Sequence, residues 1–263
     1  MSKVETLYLK FIDGNKRRVD VYLPNGYNTS KKYKVIYFHD GQNIFFDSEA
    51  TYGTSWKIKD ICDEHSYPFI IVGIYNGNEE RLNEYAPFLV DADPKEAKKY
   101  NWTKALGQLY ASWIVETLKP YIDSHYSTLS DFSSTAICGS SMGGVMSSFM
   151  GAKYSNVFKY VGVFSLASWY NEKEHLAYIA QSKPNLNQCY FVYVGTEENS
   201  IPFYEGMNKI YLSCTSSYLH TLEKLGFDNE HLMFVLGQGE EHNEASWSHH
   251  INNFLKLVNK ISR

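Results

Sequence analysis

Apolar and polar positions alternate over residues 5–11 (ETLYLKF) and 17–23 (RRVDVYL), with Asp13-Gly14-Asn15 between them. This pattern predicts an antiparallel hairpin with one face in water. Farther along the rhythm changes. Short continuous apolar runs occupy 34–39 (KVIYFH), 69–75 (FIIVGIY), 134–138 (STAIC), 160–165 (YVGVFS), 190–195 (YFVYVG) and 231–236 (HLMFVL). Parallel strands covered on both faces read this way. Helical spacing fills several of the gaps. Trp102, Leu106, Leu109 and Trp113 fall at i, i+4, i+7 and i+11 and predict a helix over 102–125. Others are expected over 142–154, 203–225 and 244–262. Eight strands with interleaved helices make an α/β fold, a mostly parallel, doubly wound sheet with an N-terminal antiparallel hairpin. In such sheets ligands bind at the carboxyl ends of the strands, so the loops after positions 39, 75, 138, 165, 195 and 236 hold the chemistry.

Composition narrows the class. The 263 residues, 44% hydrophobic, suffice for one large core, and no repeat or linker interrupts them, so 1–263 is expected to be a single domain. A net charge of −4 without Lys/Arg clusters argues against nucleic acid or an anionic membrane as partner. The first residues, MSKVETLYLKFIDGNKRRV, contain no apolar signal core, and no run is long enough to span a bilayer. Cys62, Cys138, Cys189 and Cys214 are widely spaced and read as free thiols. A cytoplasmic protein is the expectation.

One knot of small residues stands out. Gly139-Ser140-Ser141-Met142-Gly143 matches G-x-S-x-G, centred on Ser141, between a predicted strand and a predicted helix. A serine on so sharp a turn occupies a strained backbone conformation, and larger neighbours would clash with the returning chain. Ser140 is flanked instead by Cys138 and Met142. The alternative is a glycine-rich turn with an incidental serine, against which the strand–turn–helix frame argues.

A serine nucleophile needs a base, and the base needs an acid to orient it. On this fold the order is Ser, acid, His. Of nine histidines, His242 alone lies in the loop after the last strand. Thr196-Glu197-Glu198-Asn199 follows the preceding strand, and spacing alone does not choose between its two carboxylates. Backbone N–H groups must receive the oxyanion; Met142, just after the nucleophile, and Gln42, in His39-Asp40-Gly41-Gln42-Asn43, are the candidates. No H-E-x-x-H occurs and His249-His250 are adjacent, so no metal site is expected.

VIYFHDGQNIFFD, IIVGIYNGNEERLNEYAP, LKPYIDSHYSTLSDFSSTAICGSSMGG, VFKYVGVFSLASWY, YVGTEEN and GEEHNEASW resemble the "putative esterase" family of α/β-hydrolases. That group is similar to esterase D, to feruloyl and acetyl-xylan esterases and to enterochelin esterases. The resemblance runs from about residue 5 to about residue 258. It implies an α/β-hydrolase fold and ester hydrolysis without a cofactor. In relatives the acid follows a Gly-Thr pair with one residue between, which maps to Glu198, where aspartate is common. The resemblance also supports Gln42 as an oxyanion donor.

The expected activity is therefore a serine esterase using Ser141, His242 and Glu198, with an acyltransferase or a catalytically silent binding module as rivals. Its partner would be a small-molecule ester, short-acyl (acetyl or hydroxycinnamoyl) and borne by sugars; a homo-oligomer is left open. Residues 76–101 form a long polar connection of the kind that covers binding sites. Within it Arg81, Glu84 and Tyr85 are substrate-binding candidates, with an internal Arg–Glu pair as the alternative. Trp169 is a candidate pocket floor, or else a packed core residue.

Overall fold

The structure, a computed structural model, describes residues 1–200 and 205–260, without the side chain of Glu96. Its strands are β1 (Lys3–Lys10), β2 (Lys16–Leu23), β3 (Lys34–His39), β4 (Phe69–Ile74), β5 (Thr135–Ser140), β6 (Tyr160–Phe164), β7 (Cys189–Glu197) and β8 (Leu232–Glu241). They form one sheet in the order β1-β2-β4-β3-β5-β6-β7-β8. The β1–β2 and β2–β4 pairs are antiparallel, and all later pairs are parallel. Helices are α1 (Ile58–Glu64), α2 (Arg81–Glu84), α3 (Pro94–Lys99), α4 (Gly107–Trp113), α5 (Lys119–His125), α6 (Met142–Lys153), α7 (Glu172–Ser182), α8 (Met207–Leu225) and α9 (Glu244–Asn259).

Successive residues of the central strands feed two different cores. Tyr37, Ile137, Val161, Val163, Val192 and Val194 pack with residues of α4 to α8, such as Tyr110, Val145, Ile179 and Leu222. Ile36, Phe38, Ala136, Cys138, Phe164 and Phe191 pack with Ile58 and Cys62 of α1 and with Ile251 and Phe254 of α9. Two-sided cover is why these strands read as unbroken apolar runs. Cys62, Cys138 and Cys214 are buried thiols, and Cys189 is half-buried. No helix among the described residues is long and apolar enough to cross a membrane.

Several boundaries differ from the sequence expectation. Of the two hairpin strands only β1 keeps the alternating half-wet pattern; β2 is buried from Val19 to Leu23 because Val19, Val21 and Leu23 pack into one core and Tyr22 into the other. The expected helix 102–125 begins at Gly107 and passes through one π turn, Ile114–Leu118, before continuing as α5. Pro120 in the next turn has no N–H to donate, and a widened turn accommodates the gap. Trp102 precedes the helix and stacks on Tyr170 at 5.0 Å, while Leu109 points to solvent at 56% exposure. The first residues expected in helix 203–225, and the last in 244–262, lie outside the described residues.

The long connection after β4 is built into the body. Arg17 of β2 donates to both oxygens of Glu84, at 2.8 and 2.5 Å, and the Gly77 N–H donates to Glu84 at 2.9 Å. The Asn83 Oδ1 accepts the N–H groups of Thr103 and Lys104, both at 2.9 Å. Arg17 is only 7% exposed, so losing its partner would leave a buried charge unmatched. Glu84→Ala is therefore expected to lower the unfolding free energy by about 3–5 kcal/mol in urea titrations, with Arg17→Met/Glu84→Leu recovering most of the loss.

Candidate active site

The carboxyl ends of the parallel strands converge on Ser141. It caps the N-terminus of α6 with φ 57° and ψ −122°, a strained conformation for a residue with a side chain. The surrounding chain holds it there: the Ser141 N–H donates to Phe164 O at 2.9 Å, and its carbonyl accepts from Val145 at 3.1 Å. A Cβ on Gly139 would lie 2.8 Å from the Gly143 backbone and 2.9 Å from the His39 ring, so the small flanking residues answer a steric demand. Ser140 is a buried strand residue.

Glu197 and Glu198 part company at the end of β7. A register shift between Gly195 and Glu197 disturbs the ladder with β8; Glu197 stays exposed, while Glu198 turns inward to 1% exposure. The Glu198 Oε2 meets His242 Nδ1 at 2.5 Å. Its Oε1 accepts from Ser165 Oγ at 2.5 Å and from the Gly195 N–H at 2.8 Å. Ser165 in turn accepts the indole N–H of Trp247 at 2.9 Å, and the Trp247 ring stands edge-on to His242 at 5.1 Å. With Nδ1 committed to the carboxylate, the imidazole keeps Nε2 free to accept a proton. No hydrogen bond joins that Nε2 to Ser141 Oγ; the two side chains flank Tyr211, whose ring lies 4.7 Å from the imidazole and whose hydroxyl sits beside Ser141.

Met142 opens α6, and among the described residues its N–H has no acceptor; the same is true of the Gln42 N–H in the 3₁₀ turn Gly41–Asn43. The loop bearing Gln42 is braced from below. Asp40, at φ 55°, gives its N–H to Tyr85 Oη at 3.0 Å and accepts from Arg81 at 2.7 and 2.8 Å and Asn76 at 2.6 Å. Burial would raise the Asp40 carboxyl, but the Arg81 charge and these hydrogen bonds outweigh it and hold it below its ordinary range. Gly41 allows the loop to lie against β4: a Cβ there would stand 2.5 Å from Gly73 C. Among the described residues, no group of three or more His, Cys, Asp or Glu is arranged to hold a metal ion.

A profile of the "putative esterase" family matches residues 12–256. The chain belongs to that family. It is 24% identical over 245 residues to the uncharacterized protein YbbA of Bacillus subtilis, covering 92% of each chain. Among solved structures, an IroE-like serine hydrolase from Shewanella oneidensis superposes with a TM-score of 0.74 at 20% identity, over 99% of this chain and 82% of that one. A CE1 ferulic acid esterase from Anaeromyces mucronatus gives 0.65 at 22% identity, over 97% and 89%. The fold is that of the α/β-hydrolases, and ester hydrolysis is the reaction class of the family.

Not every residue singled out from the sequence of this esterase faces the cleft. Glu84 and Tyr85 are 3% and 0% exposed, with their polar atoms spent on Arg17 and Asp40; they hold the wall of the site and offer nothing to a ligand. The internal Arg–Glu pair exists, but its arginine is Arg17, because Arg81 turns to Asp40. Trp169 is half-buried against Trp102 at 5.9 Å. Spacing gave no signal for Ser165, Trp247, Tyr211 or Glu244, whose roles arise from contacts between distant segments.

Glu244, two residues past His242, is 5% exposed and accepts from Asn43 Nδ2 at 3.0 Å. Asn43 also ties down Thr51, at 2.9 and 3.0 Å, so one amide links the histidine segment to the turn bearing Gln42. Burial, together with the nearby Asp40 charge, pushes the Glu244 carboxyl up to about 7 from an ordinary 4.5, with its own backbone N–H and Arg81 opposing. A folded pKa above the unfolded one means stability is lost as pH rises between the two values. Glu244→Gln keeps the acceptor for Asn43 but cannot ionise. The variant should match the wild type near pH 4.5 and become more stable than it by up to about 3 kcal/mol at pH 7 and above, read from urea titrations across that range.

Proposed function

We propose that this esterase hydrolyses short-acyl or hydroxycinnamoyl esters of soluble alcohols such as sugars, through a serine acyl-enzyme. Its carrying observation is the strained Ser141 at a helix N-terminus, in the same cleft as a His242 oriented by a buried, fully hydrogen-bonded Glu198. On this reading the ester carbonyl lies against the N–H groups of Met142 and Gln42. Ser141 Oγ attacks the carbonyl carbon as His242 Nε2 takes its proton, and Glu198 stabilises the imidazolium that forms. The oxyanion is received by the two N–H groups, which need no reorganisation because no acceptor among the described residues occupies them. Collapse expels the alcohol with the proton from His242. Water, deprotonated by the same imidazole, then attacks the acyl-enzyme and releases the acid. No metal or cofactor enters these steps.

The substrate range rests on coarser support. The structural neighbours are described as a ferulic acid esterase and an IroE-like serine hydrolase. The segment that resembled a cover carries polar and charged residues rather than an apolar face suited to a lipid surface. Four unpaired thiols favour a reducing compartment, and residues 1–263 are taken as one catalytic domain.

A fluorophosphonate probe should label Ser141 and no other residue. Ser141→Ala should lose label and esterase activity, a fall on the order of 10⁴ to 10⁶ in kcat, while Ser140→Ala keeps both. Label mapped by mass spectrometry to Ser140 would contradict the assignment.

Glu198→Gln should lower kcat by up to about 10⁴, since the neutral amide no longer favours the imidazolium; Glu197→Gln should change it little. Equal losses in the two variants would remove Glu198 from the triad. Among p-nitrophenyl esters, kcat/KM should be highest at acetate or butyrate and fall toward octanoate and palmitate, with acetylated xylose and methyl ferulate both turned over. A maximum at octanoate or longer would reject the substrate assignment and leave the triad untouched.

A further inference from the structure

Two parts of the proposed reaction lie on separate segments. Gln42, a proposed oxyanion donor, is in the turn Gly41–Asn43, and His242, the proposed base, stands just ahead of α9. A hydrogen bond joins these segments directly, from Asn43 Nδ2 to Glu244 Oε1 at 3.0 Å, and both residues are buried. The two ends are themselves held. Asn43 gives its N–H to Asp40 O, and its carbonyl takes the Trp56 N–H, each at 2.8 Å. On the other side Asn243 Oδ1 caps α9 by accepting the Ser246 N–H at 2.9 Å, and Ser246 Oγ accepts the Glu241 N–H at 3.1 Å. Glu244 is thereby fixed as the first residue of α9, two residues past His242. A second path runs beside the first: the Trp56 ring packs on Trp247 at 5.4 Å, and Trp247 stands edge-on to His242 at 5.1 Å.

The bond has a fixed direction. Asn43 Oδ1 accepts both the N–H and the hydroxyl of Thr51, at 2.9 and 3.0 Å. A backbone N–H can only donate, so the amide cannot turn over, and its NH₂ must face Glu244. Glu244 Oε1 is thus required as an acceptor. It remains one whether the carboxyl is ionised or carries its proton on Oε2. Burial favours the neutral form; the Glu244 N–H and Arg81 oppose it, and Asp40 adds to it. The bridge therefore needs an acceptor oxygen at position 244 and no charge there.

We propose that Asn43 and Glu244 are positioning residues that hold the Gln42 turn in register with His242, so that proton removal and oxyanion capture act on the same carbonyl. This role rests on the functions proposed above for Ser141, His242 and Gln42. An oxyanion donor contributes only if it points to where the negative oxygen forms, and a misplacement of about 1 Å can cost on the order of 10²-fold in rate. That charge develops only in the transition state. Loss of the bridge therefore falls on kcat and leaves KM nearly alone.

The test is kcat and KM for p-nitrophenyl acetate, together with the rate of fluorophosphonate labelling at Ser141, with the folding of each variant followed in urea. Asn43→Ala and Glu244→Leu should each lower kcat and the labelling rate by about 10- to 100-fold with KM little changed. The double variant should be no slower than either alone, because both remove one bond. Asn43→Asp sets two carboxyls face to face. They hold the bridge only while they share a proton, so kcat relative to the wild type at the same pH should fall as the pH rises. Asn43→Asp/Glu244→Gln restores the bond in the reverse direction, since the glutamine amide donates to the new carboxylate and Thr51 keeps its acceptor. Its kcat should recover at every pH. A merely structural bond would move the urea midpoint and leave the kcat of the folded variants where it was. Unchanged kcat in Asn43→Ala, or no recovery in the swapped pair, overturns the bridge alone, whereas a wild type that the probe does not label removes the proposed reaction with it. If the Asn43 variants do not fold, Glu244→Gln against Glu244→Leu decides. Glutamine keeps the acceptor and should rescue the rate that leucine loses; equal rates overturn the proposal.

Discussion

A carboxylate at 1% exposure must replace water with protein donors, and Glu198 finds three of them on three segments. Ser165 follows β6, Gly195 belongs to β7, and His242 follows β8. Leaving any of them out would strand lone pairs of a buried charge, a cost of several kcal/mol. The ends of three neighbouring strands are thereby held in one arrangement. Ser165 accepts a strained φ of 48° to take part, and Trp247 fixes its remaining geometry from the first turns of α9. Strain of this kind persists only where the surroundings over-determine it.

The opposite wall repeats the device with a different carboxylate. Asp40 is buried in a left-handed conformation, and the side chains of Arg81 and Asn76 hold it beside the Gln42 turn. Its charge is matched. Glu244 differs: the side-chain amide of Asn43 bonds its carboxyl, and among the described residues no cation forms an ion pair with it. That contrast explains why burial, which raises both carboxyls, ends differently at the two: Arg81 holds Asp40 below its ordinary range, while Glu244 is pushed up to about 7. The Gln42 turn is thus fixed on one side by a full charge pair and on the other by a bond to Glu244, whose carboxyl is pushed up to about 7.

What the sequence disclosed followed the range of the interactions involved. The central strands were legible because two-sided burial writes itself as a continuous apolar run, and Ser141 because a strained turn excludes all but small neighbours. His242 was singled out by its place after the last strand, and the structure sets it against Glu198. The choice between Glu197 and Glu198 depends on an irregular pairing of β7 with β8, which no short pattern records. Tyr211 sits in an amphipathic helix where a buried tyrosine reads as core, and its meaning comes from His242 and Ser200 on other segments. Leu109 misled for the opposite reason. It fits the helical stripe of its neighbours, yet α4 buries Gly107, Tyr110, Ala111 and Trp113 and leaves Leu109 on the solvent side.

The connection after β4 shows how charge density can mislead about exposure. Its acidic and basic residues suggested a solvated cover, but the decisive ones point inward: Glu84 to Arg17, Arg81 to Asp40, and Asn83 to the backbone ahead of α4. Lifting this segment would separate a buried ion pair and expose Tyr85, which is 0% exposed and holds Asp40 through its hydroxyl. Breaking such a pair by itself costs about 3–5 kcal/mol, and the Gln42 turn would lose its brace in the same motion. A segment bonded in this way serves as a wall.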